Sequence, residues 1–299
     1  MNSEFRDLRG RAQHAYCIVL AAALMALAFQ CNASIYTLSA GNTTALINSI
    51  GSASSPAGWY DWSVNGVDQL DQHWFYYRVD GGGSGWIDNI AAPTLNSSTA
   101  TILDFTYVGS SYSARVVYQL AAGTPGSGYS AMNQTTTFQN TSGSSITLHL
   151  FDFSHVTLGG TSTGQSVQRT GNSIRSTFIQ TAGSLVFSNR FDGGAKPISF
   201  LEAALFDQTR NNLTNGVANL NNVTSIGPGD VTSAAQWNTT LAPSQSLIVS
   251  ELLVVQVPEP SSLALVAVGL LGWAAKTRRN TLGFALRRKQ EKLATSVAG

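Results

Sequence analysis

His149 and His155 flank Leu150-Phe151-Asp152-Phe153-Ser154, and two imidazoles with a carboxylate between them are possible metal ligands. In one unbroken strand both rings would share a face but stand about 20 Å apart at ~3.3 Å per residue, too far for one ion. Only a bend at Asp152 would join them, so no metal site is expected. A second group is larger. Asp61, Asp68, Asp71, Asp80 and Asp88 are interleaved with Trp59, Tyr60, Trp62, Trp74 and Trp86. Carboxylates beside aromatic platforms are the materials of a sugar site, where rings pack on sugar faces and paired acids do proton transfer. Trp59, Trp62, Trp74 and Trp86 are therefore the candidate glycan contacts. The same aspartates could ligate Ca²⁺, but no D-x-[DN]-x-[DN]-G loop is present. Gly81-Gly82-Gly83-Ser84-Gly85 lacks the Lys-Ser/Thr of a phosphate-binding loop, and no helical pattern follows it. No Gly-x-Ser-x-Gly elbow occurs. No catalytic residue and no cofactor are assigned on these grounds.

The elements that must position these residues read as strands. Turn-rich clusters of Gly, Ser and Asn separate short alternating runs: Tyr36 to Leu38, His73 to Val79, Ala100 to Val108, Ser113 to Leu120, Thr135 to Gln139, Ile146 to Leu150, Ser173 to Gln180, Leu185 to Arg190, Gly229 to Trp237 and Ser246 to Gln256. Close spacing without a βαβ rhythm predicts a mainly β fold, an antiparallel sandwich of immunoglobulin-like or jelly-roll-like type. A short amphipathic helix is expected only near Ile198 to Leu213.

Composition limits the classes. Only 11% of the 299 residues are charged, 43% are hydrophobic and the net charge is +1. Mean hydropathy is +0.03, so the missing charge is replaced by polar uncharged residues. A polytopic membrane protein, a charge-driven disordered chain and a basic nucleic-acid binder are all excluded. The charge is unevenly placed. Residues 34–257 carry 12 acidic and 7 basic side chains, whereas residues 258–299 carry 2 acidic and 7 basic.

Both ends read as sorting signals. Arg6, Arg9 and Arg11 precede a 15-residue uncharged run from Ala15 to Phe29, and Cys31-Asn32-Ala33 offers small residues for cleavage between Ala33 and Ser34. Residues 1–33 are thus expected to be a signal peptide with its helix. Cys17 and Cys31, the only two cysteines, would leave with it, so neither a disulfide nor thiol chemistry is expected in the body. At the other end stand Val257-Pro258-Glu259-Pro260, an apolar, Gly-containing run from Leu263 to Ala275, and the basic cluster Lys276, Arg278 and Arg279. Pro258 and Pro260 forbid helix or central strand and leave an extended linker. The run of 16 uncharged residues from Pro260 to Ala275 spans about 24 Å as a helix, short of a ~30 Å hydrocarbon core. The basic cluster would stay cytoplasmic.

This three-part order resembles the PEP-CTERM sorting signal of bacterial exported proteins. The resemblance implies retention at the inner membrane until an exosortase acts near Pro-Glu-Pro. It covers 258–279; a further 20 residues, 280–299, follow as a basic cytoplasmic tail where the pattern normally ends. The body also looks like a group of PEP-CTERM proteins with β-sandwich bodies, through Asp71 to Val79, Thr136 to Leu148 and Leu241 to Val249. That second resemblance implies fold and no defined activity.

The expectation is therefore an exported, non-enzymatic β-sandwich (34–257) sorted by its tail. Its partners would be signal peptidase, exosortase, the inner membrane and extracellular polysaccharide, with no nucleic acid. A C-terminal transmembrane helix would tether it before it reaches the cell surface or extracellular matrix. The alternatives are a glycan-binding module or a secreted carbohydrate-active enzyme.

Overall fold

The computed structural model describes residues 35–51, 56–82, 85–192, 196–216 and 219–258, together with Trp273 and Lys276. Alternation of apolar and polar side chains over these residues produces two nine-stranded sheets packed face to face. The first sheet runs Ile35–Ala40, Thr43–Asn48, Gly58–Val64, Leu70–Val79, Ile146–Val156, Val231–Leu241, Phe200–Leu205, with the short pieces Val67–Asp68 and Gly85–Trp86 added at its margin. The second runs Ser225–Gly229, Gln165–Gly171, Arg175–Ala182, Leu185–Asp192, Ser246–Gln256, Tyr129–Asn140, Tyr112–Ala122, Ile102–Val108, Pro93–Ser98. All pairings of named strands are antiparallel, most between neighbours in sequence or across short turns.

The inward parity is readable along each strand. Leu103, Phe105 and Tyr107 are buried, as are Leu148 and Leu150 and, in the last strand, Leu247, Val249, Leu253 and Val255. The two sheets meet through aromatic rings. Trp59 packs edge-on against Tyr118 and Trp62 against Phe187, each at 6.5 Å between centroids. Burying side chains of this size contributes roughly 1.5–3 kcal/mol each. On the outer face of the first sheet a second apolar cluster, Tyr76, Phe151, Phe153 and Ala234, is covered by Leu213 and Leu220. That cover comes from the helix Phe206–Thr214 and the segment after it. His155 fixes the start of this helix. Its ring stacks on Phe206 at 4.2 Å, and its ring nitrogens donate hydrogen bonds to Asp71 and Asp230 at 2.8 and 2.7 Å.

Three expectations are corrected. First, the eighteen strands among the described residues are about twice the number of an immunoglobulin-like or jelly-roll sandwich. Second, the helix expected from Ile198 begins only at Phe206, because Phe200–Leu205 is a strand. Its residues are covered on both faces, so no alternation marks it. Third, helices flanking the body do not stand as part of the described fold. Among the described residues there is one α-helix, and no helix is long and apolar enough to cross a membrane. The segments expected to form the signal helix and the C-terminal hydrophobic helix lie outside the described residues, apart from helical Trp273 and Lys276. A transmembrane helix and an inner-membrane tether are accordingly withdrawn. Ala33, Ser34, Glu259, Pro260, Arg278 and Arg279 also lie outside the described residues. Val257 and Pro258 are described, and the Val257 amide donates to the Gly128 carbonyl at 2.7 Å, fixing where the chain leaves the sandwich.

Candidate functional site

Two groups of polar side chains flank the first sheet, one inside the sandwich and one on its outer face. The inner group begins with a cross-strand pair. His73 in Leu70–Val79 stands opposite Ser154 in Ile146–Val156, and His73 Nδ1 lies 2.8 Å from Ser154 Oγ. The other ring nitrogen, Nε2, is 3.2 Å from Glu251 Oε1 and 3.4 Å from Asp152 Oδ1. Asp152 shares the inward parity of Leu148 and Leu150, and Glu251 that of Val249 and Leu253, so each strand alternation forces a carboxylate into the core. Asn189 Nδ2 donates to Glu251 Oε2 at 2.9 Å and to Asp152 Oδ2 at 3.3 Å.

All three ionisable groups are enclosed. Burial alone would lower the His73 pKa, but the carboxylates of Asp152 and Glu251 outweigh it and hold the imidazole up at about 9. Burial, reinforced by the Glu251 charge, pushes Asp152 well above the usual carboxylate range. Around this group sit polar atoms without hydrogen-bond partners: the Gln134 amide nitrogen, Asn189 Oδ1 and Tyr118 Oη, while Asp152 Oδ1 has only its longer contact to the His73 ring. The group contains ionisable side chains of the kinds that acid–base catalysis and metal binding use, and among the described residues all three are buried from solvent.

The outer group follows from register. Arg78, His149 and Asn238 are directly opposite one another on three adjacent strands, so their side chains form one row. The next row is Trp86, Tyr76, Phe151, Gln236 and Phe200. Arg78 is only 5% exposed; its guanidinium lies over the Phe151 ring at 5.6 Å, and Nε and Nη2 have no partner. Desolvation lowers its pKa. His149 Nδ1 is 2.8 Å from Asn238 Oδ1, which orients the ring and turns Nε2 away from that amide. Gln236 donates to Asn238 Oδ1 at 2.7 Å and to Asn219 Oδ1 at 3.2 Å, and Asn238 donates to Asn219 at 2.9 Å. His149 and Asn238 are half-buried and Asn219 is exposed. A cation, an imidazole and three linked amides thus occur beside the partly exposed Trp86. An open cleft of about 510 Å³ at the helix, with Glu202 at its base, is different in kind. The Glu202 carboxylate is saturated by Asn212 and Asn221.

The tryptophans expected to contact glycan separate. Trp59, Trp62 and Trp74 are fully buried, with their indole N–H groups donating to Asp61 O, Ser130 Oγ and Asp88 Oδ1, so they present no ring face to a sugar. Of the four, Trp86 alone keeps exposed area, its ring tilted 32° to that of Tyr76 with centroids 3.7 Å apart. The two histidines that open the sequence reading do share a face, on a strand that does not bend at Asp152. Sequence reasoning missed His73, Glu251 and Arg78. Glu251 had a usable signal, being the one charge in an otherwise uncharged strand, on its inward parity.

The comparisons with known proteins bear on both ends of this description. The PEP-CTERM protein-sorting motif matches residues 256–279, so a sorting motif of this kind is present near the C-terminus, and it implies an exported protein that interacts with an exosortase sorting system. No curated protein matches the chain. Among solved structures, a bacterial glucoamylase complexed with acarbose is similar, at TM-score 0.50 and 10% identity over 79% of this chain. The chain corresponds to 34% of that glucoamylase chain. A putative aldose 1-epimerase from Escherichia coli K12 (TM-score 0.41, 9% identity, 76% of this chain and 99% of that one) and an aldose epimerase homologue from C. elegans (0.44, 7%, 75% and 98%) are also similar. The glucoamylase match shows a shared sandwich fold. With that fold and a His–Asp–Glu group present, the expectation of a non-enzymatic body is withdrawn.

Proposed function

We propose that the chain is an exported, exosortase-sorted protein whose sandwich body engages carbohydrate on the outer face of its first sheet, with an acidic sugar at Arg78. The carrying observation is the guanidinium of Arg78, almost wholly desolvated on Phe151 with two nitrogens unpartnered. A cation compensated only by an aromatic face is costly to bury, and a carboxylate that draws the guanidinium toward solvent is its natural complement. His149, Asn238 and Asn219 supply donors and acceptors for sugar hydroxyls, and Trp86 supplies an apolar platform. The fold shared with a glucoamylase supports a carbohydrate-directed body.

Calorimetric titration of the purified protein with a uronic-acid oligosaccharide and with a neutral glucan tests this. Binding of the acidic ligand and a loss of about tenfold or more in Arg78→Gln, with an unchanged circular-dichroism spectrum, are expected. Equal binding by the variant, or binding only to the neutral glucan, would contradict it. Assaying the same mixtures for new reducing ends separates a binding module from an enzyme.

A further inference from the structure

Between the sheets, His73, Asp152 and Glu251 each offer a ligand atom, and the three atoms lie within 4.8 Å of one another. We propose that this enclosed group is a divalent-cation site suited to Zn²⁺, formed by His73 Nε2, Asp152 Oδ1 and Glu251 Oε1, with the Gln134 amide oxygen as the fourth donor.

Four independent features of the structure converge on it. The first is spacing. Nε2 lies 3.2 and 3.4 Å from the two carboxylate oxygens. A tetrahedron with metal–ligand bonds of about 2.0 Å has edges of about 3.3 Å. The second is outer support. Ser154 holds the far nitrogen of the imidazole, and Asn189 Nδ2 holds the second oxygen of each carboxylate. Each ligand therefore keeps one atom for the ion, as oriented metal ligands do.

The third is the set of orphaned atoms. On the second sheet, Tyr118, Gln134 and Glu251 are cross-strand neighbours in one row facing His73. Tyr118 Oη is buried without a hydrogen-bond partner, the Gln134 amide nitrogen likewise, and Asp152 Oδ1 has only the 3.4 Å contact to the His73 ring. Native interiors leave few such atoms, so their concentration here points to a missing centre. The fourth is charge. A single proton shared within the triad balances only one of the two carboxylate charges. A dication balances two carboxylates. One nitrogen with oxygen donors favours Zn²⁺ over Ca²⁺, which takes six to eight oxygens.

Because the three ionisable ligands are buried from solvent, the ion must enter as the sandwich closes, which couples metal to folding. Elemental analysis of the full-length protein, purified without a metal-affinity step, is expected to find about one zinc per chain, retained through dialysis against chelator. Unfolding and refolding in chelator should release it and lower the melting temperature by about 5 °C or more relative to refolding with Zn²⁺. Refolding with Co²⁺ should give the visible absorption of a four-coordinate ion. Glu251→Gln and Asp152→Asn should abolish that band; should either fail to fold, the chelator comparison and the cobalt spectrum of the unaltered chain still decide. Less than about a tenth of an ion per chain, with equal melting temperatures in Zn²⁺ and in chelator, would overturn the proposal. In that case the group is a proton-sharing triad.

Discussion

Arg78 and Trp86 are the residues whose removal should change recognition without changing the fold. Trp86→Ala removes a partly exposed ring on the candidate face and is expected to weaken glycan binding several-fold. Trp59→Ala, by contrast, empties a core position and should destabilise by about 3–5 kcal/mol, read from a denaturant titration. Asp104 offers a pH test. Arg115 donates to both of its oxygens, at 2.9 and 2.6 Å, and Asn96 adds a third bond at 2.9 Å. The Arg115 hydrogen bonds hold Asp104 below the usual carboxylate range despite partial burial. A depressed carboxylate stabilises the folded state above its unfolded pKa, ~3.9, and that contribution is lost as pH falls through the lower folded value. Arg115 is about half exposed, so the pair is worth only about 1 kcal/mol. Asp104→Asn should therefore lower the melting temperature at pH 7 and make little difference near pH 2. An equal deficit at both pH values would count against the ion pair.

At the scale of elements, what was legible in the sequence depended on which faces of a strand are buried. Ile102–Val108 alternates because one face meets the core and the other holds Asp104 and Thr106, so its limits were readable to within two residues. Phe200–Leu205 is covered on both faces, and FLEAAL reads as helix. Thr43–Asn48 escaped notice because it is short and mostly buried. The inner carboxylates were partly legible, since Asp152 and Glu251 fall on inward parity. The outer row was not, because Arg78, His149 and Asn238 are joined only by register between strands distant in sequence. The turn at Gly128 is another tertiary matter. Its φ is +62°, and a Cβ there would run into the Val257 carbonyl. Gly128→Ala should cost about 1–3 kcal/mol and loosen the point where the tail departs, measurable as faster proteolysis after the last strand.

For the whole molecule, residues 256–279 carry a sorting motif that implies an exosortase system, and the sandwich is the body that the motif accompanies. An acidic body between basic ends does not exclude an acidic glycan, because recognition at Arg78 depends on a local, desolvated cation rather than on net charge. Titration of the intact body with an acidic oligosaccharide, in parallel with Arg78→Gln, is the most direct test. The structure predicts saturable binding that weakens about tenfold in the variant and falls with added salt. Undiminished binding by Arg78→Gln, or no heat with any acidic glycan, would contradict it.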